Sequence, residues 1–206
     1  MHFDTRPNII WILIDSLRPD LLNKFVKKNK DNIISKLISS GTTFTTCITT
    51  APYTIASAGG ALLTSFFPKT NKVDAWFKCV PSSLDHNIIT FADILKREGY
   101  YNVYFSSKNA RCYVPPFGFD IYEMLSAQNC PLHCPPITSF ARYLDAPEPK
   151  FCISHFGAIH DLCVKSHTSF SHEKYFDSLL ETSRGLQPFM DKILPNENTI
   201  IIICGD

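Results

Sequence analysis

Four short stretches of this chain carry residues of the kinds that hold metal ions or attack esters. The run Asn8-Ile9-Ile10-Trp11-Ile12-Leu13-Ile14 ends at Asp15, and Asn198-Thr199-Ile200-Ile201-Ile202-Ile203-Cys204-Gly205 ends at Asp206. Two apolar strands that each deliver a carboxylate at the C-terminal end suit a cation site on the rim of a parallel sheet, where open α/β folds place their ligands. Taken alone, Asp15 also reads as a solvated turn acid or a helix cap. Between the two runs, Ala51-Pro52-Tyr53-Thr54-Ile55-Ala56-Ser57 sets Thr54 at or near the start of a helix of small residues. Free N–H groups and the helix dipole favour an anion there. A hydroxyl in that place can attack phosphorus or sulfur once a metal lowers its pKa. The alternative is that Thr54 or Ser57 is a plain N-cap. In Ser154-His155-Phe156-Gly157-Ala158-Ile159-His160-Asp161, His160 is placed to ligate a metal or hold a substrate oxygen. It reads equally as an ordinary surface histidine.

These residues need elements to position them. Residues 8–14 are continuously apolar, as a strand covered on both faces should be. Helices are expected after Pro19 and over 31–39, where Ile33, Ile34, Leu37 and Ile38 recur at helical spacing and Gly41 closes the run. The β-branched stretch 42–50 predicts a strand, broken by Pro52. Residues 54–65 predict a buried helix closed by Pro68. An amphipathic helix over 88–98 stops at Gly99 and leads into a strand over 100–105. Residues 106–150, rich in Pro and Cys, read as a loop-rich insertion with at most short helices. A short strand over 151–154, a helix over 171–194 weakened by Gly185 and Pro188, and a strand over 199–203 complete the pattern. Strands alternating with helices predict an α/β fold with a doubly wound, mostly parallel sheet in three α/β/α layers. All of residues 1–206 then form one domain.

Composition narrows the function. The 206 residues are 45% hydrophobic and 19% charged with a net charge of +1. That balance gives no drive toward nucleic acid or an anionic membrane. No apolar run is long enough to span a bilayer, and Met1 to Pro7 lacks a signal-peptide pattern, so a cytoplasmic location is expected. The eight cysteines are scattered, and reduced thiols are the expectation there. Cys130-Pro131-Leu132-His133-Cys134, with Cys112, has the spacing of no common zinc site. A plain nucleotide-binding domain is disfavoured because no Gly-rich phosphate loop is present.

The pieces, in this order, resemble the sulfatase-like branch of the alkaline phosphatase–sulfatase superfamily. Arg6 to Asp20 is similar to the opening strand with its first metal-binding acid. Gly41-Thr42-Thr43-Phe44 through Pro68 is similar to the nucleophile segment. Thr90 to Tyr100, Phe117-Gly118-Phe119-Asp120, His160-Asp161 and Asn198 to Asp206 match later elements. The resemblance implies an alkaline-phosphatase-like fold, incomplete at the C-terminus because members continue past an Asp-His pair. It implies Asp15, Thr54 and Asp206 as metal ligands, Thr54 as nucleophile, His160 and Ser57 as substrate contacts, and one or two divalent cations (Mn, Mg, Ca or Zn). The implied substrate is a small anionic ester or a lipid- or glycan-linked phosphate. Sulfatases proper carry Cys/Ser-x-Pro-x-Arg, whose first residue becomes formylglycine. Thr54-Ile55-Ala56-Ser57-Ala58 lacks the Pro and the Arg, so no formylglycine is expected. The resemblance thereby leans toward threonine-nucleophile relatives, the phosphoglycerol transferases and phosphonate hydrolases. Ser16 stands where many sulfatases have a second Asp, also as in those relatives. The segment 54–64 is one residue longer than usual, which keeps Ser57 as a second candidate nucleophile. Lys108 lies one place from the family lysine. The expected function is a metal-dependent hydrolase or transferase of phosphate or sulfate esters working through a covalent threonine intermediate. The alternative is a truncated, non-catalytic pseudoenzyme that keeps the fold.

Overall fold

The computed structural model describes residues 6–49, 54, 57, 89–106, 116–124, 142–160, 171–195 and 198–205. Five strands form one sheet: β1 (Asn8–Ile14), β2 (Tyr101–Ser106), β3 (Ile121–Met124), β4 (Lys150–Phe156) and β5 (Thr199–Gly205). Their spatial order is β3-β2-β4-β1-β5, and every neighbouring pair is parallel. Helices α1 (Pro19–Lys28), α2 (Ile33–Ser40), α3 (Phe91–Arg97) and α4 (His172–Ile193) cover the two faces.

Alternation along the strands divides the core in two. Ile10, Ile12 and Ile14 of β1 meet Leu21, Phe25, Ile33, Ile34 and the apolar side of α4, including Leu179, Leu186 and Met190. Each of these isoleucines is fully buried, which stabilises the fold by roughly 1.5–3 kcal/mol apiece. On the opposite face Tyr104, Phe151 and Ile153 pack with Ala92 and Leu95 of α3, and Ile9 and Trp11 join them. All seven residues of β4 are buried, so the middle of the sheet lies at β4 and β1.

Local chemistry explains most element ends. Pro19 occupies the first turn of α1, where its missing N–H costs nothing. The Asn32 side chain caps α2 by accepting from the Ser35 N–H. Thr90 and Asp93 form a reciprocal capping box on α3. Gly99 follows that helix with φ 85°. The Ser171 hydroxyl caps α4 by accepting from the Lys174 N–H. The N-terminal edge of the sheet is tied by Asn8. Its side chain accepts from the Lys150 N–H at 3.0 Å and donates to Glu148 at 3.0 Å. Lys150 Nζ is buried against the carbonyls of Tyr143, Leu144 and Ala146, and burial pulls its pKa below the usual lysine range.

Two expectations are corrected. Residues 42–49 form no strand. Phe44 and Ile48 there are 80% and 84% exposed, and β-branched composition without a pairing neighbour does not make a strand. The stretch 106–150 is not loop throughout, because it contains β3, paired to β2 from Val103↔Ile121 to Ser106↔Met124. The strand expected over 151–154 is longer at both ends, and α4 runs unbroken through Gly185 and Pro188. The helix expected over 54–65 falls mostly outside the described residues. So does the Cys112, Cys130 and Cys134 group. Among the described residues Cys47, Cys152 and Cys204 form no disulfide, and burial pushes the Cys152 thiol up, away from reactivity.

The motif Phe117-Gly118-Phe119-Asp120 is a lock between α3 and β2. Asn102 Nδ2 donates to Ala92 O and Gly118 O, both at 2.7 Å. The Asn102 N–H donates to the Asp120 carboxylate at 2.9 Å. Gly118 has φ 77°, and a Cβ there would lie 2.4 Å from the Asp93 nitrogen. Gly118→Ala is therefore expected to destabilise the fold by about 2–4 kcal/mol. A shift of the chemical denaturation midpoint to lower denaturant checks it; an unchanged midpoint would mean the motif moves freely.

Candidate active site

The C-terminal rim of the sheet begins at Asp15. Its N–H donates to Phe156 O at 2.9 Å, which continues the β1–β4 ladder by one step. The Asp15 side chain is buried although the strand has ended. A buried carboxylate is costly without compensation, and part of that compensation is visible: Ser16 Oγ donates to Asp15 Oδ1 at 3.0 Å. Ser16 itself lies in the left-handed region with φ 61°, a conformation that strains a residue with a side chain. The turn is held from α4. The Tyr175 hydroxyl donates to Ser16 O at 3.1 Å and accepts from the Arg18 N–H at 2.7 Å. Tyr175 is 1% exposed.

Beside Asp15 stands His155. The β1–β4 register pairs Leu13 with His155 and Ile14 with Phe156. Alternation puts Asp15 and His155 on the same face, one step apart on adjacent strands. His155 Nε2 lies 3.8 Å from Asp15 Oδ2, and the two side chains are 1% and 5% exposed. That separation is beyond hydrogen-bond reach. On the other side of β1, Ile14 pairs with Gly205. A Cβ at Gly205 would come within 2.9 Å of Leu17 O, so a glycine lets β5 close on the turn that follows Asp15. Trp11 Nε1 donates to Cys204 Sγ at 3.0 Å, another tie between these two strands.

The other expected site residues are placed as follows. Thr54 and Ser57 both have helical backbone and are buried. The Ser57 hydroxyl donates to Thr54 O, three residues before it, at 3.4 Å. His160 is half-buried, four residues past the end of β4. Asp206, Asp161 and Lys108 lie outside the described residues. Two residues at the rim were not anticipated. His155 sits inside an otherwise apolar run, which masks it; its signal is a histidine at the end of a buried strand. Tyr175 lies 159 residues from Ser16 and nothing in its own helix marks it.

Does this rim fit a divalent cation? A carboxylate with one oxygen oriented by a hydroxyl and the other facing an imidazole nitrogen is donor chemistry that suits such an ion. Among the described residues, no group of three or more His, Cys, Asp or Glu is gathered closely enough to hold one. Among the described residues, no helix is long and apolar enough to cross a membrane.

Comparison with solved structures returns the same architecture. A 2-O GAG sulfatase superposes with a TM-score of 0.68 at 17% identity, covering 98% of this chain and 58% of its own. The phosphonate monoester hydrolase of Agrobacterium radiobacter gives 0.64 at 14% identity, covering 97% and 62%. The C-terminal periplasmic domain of EptC from Escherichia coli, in complex with Zn, gives 0.62 at 15% identity, covering 98% and 64%. The chain thus spans about three-fifths of the length of these proteins. No curated protein gives a significant sequence match. The family model described as Sulfatase matches residues 7–206. With that match over nearly the whole chain, and a parallel sheet carrying a buried acid at the end of its first strand, the chain belongs to the sulfatase family.

Proposed function

We propose that this chain carries the first part of a divalent-cation-dependent active site that cleaves or transfers phosphate or sulfate esters, with Thr54 as nucleophile. The observation that carries the proposal is the burial of the Asp15 carboxylate on the rim, held by Ser16 beside His155. A carboxylate set just past the end of a parallel strand, beside an imidazole on the next strand, stands where open α/β folds hold their ligands, and a cation is a ligand that suits it. Membership of the sulfatase family supports the reaction class. Its structural neighbours include a 2-O GAG sulfatase and a phosphonate monoester hydrolase. The absence of the Pro and Arg of the sulfatase motif around Thr54 favours phosphorus over sulfur and threonine over formylglycine.

A cation bound at the rim supplies charge neutralisation for the ester oxygens and lowers the pKa of a hydroxyl beside it. The residues do the rest. Asp15 and Asp206, each the next residue in sequence after β1 and β5, would supply the negative charge that holds the cation. Thr54 Oγ1 gives up its proton to solvent and forms a bond to the phosphorus or sulfur, while the bond to the leaving alkoxide breaks and that alkoxide takes a proton from water. Water or an acceptor alcohol then cleaves the ester on Thr54. Ser57 and His160 are the substrate contacts, with His160 donating to a substrate oxygen. The substrate class is a small anionic ester or a phosphate linked to a lipid or glycan.

Two outcomes are expected. In the protein carrying this domain, Thr54→Ala should lower turnover of an aryl phosphate or phosphodiester at least roughly 10³-fold, while Ser57→Ala should raise KM and keep kcat within about tenfold. Activity that survives Thr54→Ala discards Thr54, and no turnover in the parent with any divalent cation favours a non-catalytic domain. Manganese or zinc at about 100 times Kd should add about 2.7 kcal/mol of stability, or roughly 5–10 °C in melting temperature for a domain of this size. Asp15→Asn should abolish that rise; a rise that persists in this variant removes Asp15 from the site.

A further inference from the structure

We propose that His155 is a ligand of the same cation as Asp15, so that the rim site has an imidazole nitrogen from β4 as well as a carboxylate from β1. The inference rests on the reading of Asp15 as a cation ligand and adds a donor that the sequence did not suggest. The geometry is specific. Asp15 Oδ1 is engaged by the Ser16 hydroxyl at 3.0 Å, which turns Oδ2 toward His155 Nε2, 3.8 Å away. This gap is too long for a hydrogen bond between the two. It is close to the separation of two atoms bound to one ion. Metal–nitrogen and metal–oxygen bonds of roughly 2.0–2.2 Å set two ligand atoms about 3.4 Å apart at the tetrahedral angle, so a shift of roughly 0.4 Å brings the pair onto one ion.

The backbone makes the pair reproducible. Both residues stand at the ends of adjacent strands whose register is fixed from Ile9↔Phe151 to Ile14↔Phe156, and sites on strands are held more tightly than sites on loops. The surroundings exclude water, since the His155 and Asp15 side chains are almost wholly buried. A nitrogen donor also selects among cations. Magnesium and calcium take oxygen ligands, whereas zinc and the first-row transition metals more readily accept an imidazole beside a carboxylate. The cation of this site is therefore of the transition-metal or zinc type. A simple ion pair between a protonated His155 and Asp15 is the competing arrangement, and it predicts no bond between nitrogen and metal.

The test is pulsed electron paramagnetic resonance on the 206-residue chain loaded with one equivalent of Mn(II), read for coupling to the imidazole nitrogen. Wild type and His160→Gln should show the coupling. His155→Gln should lose it, with Mn(II) affinity falling roughly 10- to 100-fold, while far-ultraviolet circular dichroism remains native. As a second variant, His155→Cys replaces one soft donor by another and should gain a thiolate-to-cobalt absorption band when loaded with Co(II). Coupling that survives in His155→Gln overturns the proposal. So does Mn(II) bound without nitrogen coupling, or a folded His155→Cys without the band. If binding is still lost in Asp15→Asn in those cases, the cation reading of Asp15 stands and His155 alone is removed. Mn(II) binding that is absent from wild type, or indifferent to Asp15→Asn, removes both.

Discussion

The position of β1 between β4 and β5 governs what the rim can do. Parallel pairing on both sides fixes the height at which β1 ends. Ile14 aligns with Phe156 on one flank and Gly205 on the other. Asp15 is the next residue, and its N–H still bonds to β4. A one-residue slip of β1 would send Asp15 to the helix-packed face and bring Ile14 to the face it now shares with His155. The slip is opposed by the full burial of Ile10, Ile12 and Ile14 on the other face. The apolar core therefore sets the position of the polar site, and the site does not need to hold itself together.

The turn after β1 shows how that order is extended past the end of the ladder. Ser16 adopts a strained backbone and gives its hydroxyl to the acid before it. Tyr175 reaches from α4 to satisfy both a carbonyl and an N–H of the same turn. A single hydroxyl thus links the longest described helix to the residues that aim Asp15. The opposite end of the sheet is built differently. Asn8, Glu148 and Lys150 form a closed polar network there, and its chemistry is spent on fixing the strand starts.

Much of this was readable in advance, and the reasons differ by element. β1 and β5 announced themselves as unbroken apolar runs ending in acids; β1 is covered on both faces and needs no polar alternation, whereas β5 is the outer strand of the described sheet and leaves Ile200 and Ile202 partly exposed. α4 was readable by its periodicity, and burial of Tyr175, Leu179, Leu186 and Met190 outweighed the local cost of Gly185 and Pro188. β3 was not readable: Ile121 to Met124 is too short to show a period, and it is a strand because β2 offers an edge. Residues 42–49 erred in the other direction, with strand-like composition and no neighbour. At the rim, the place of Asp15 directly after a strand was readable. The neighbourhoods of His155 and Tyr175 were not, since they are made with residues 140 and 159 positions away in sequence.

Gly205 carries one more implication. It is the last residue before Asp206, and the space above its Cα is already filled by Leu17. Any amino-acid substitution there adds at least a methyl group against the main chain, so natural variation should be sparse at this position even though no chemistry occurs on it. An inherited missense change at 205 would consequently be read as damaging on steric grounds, without any reference to catalysis.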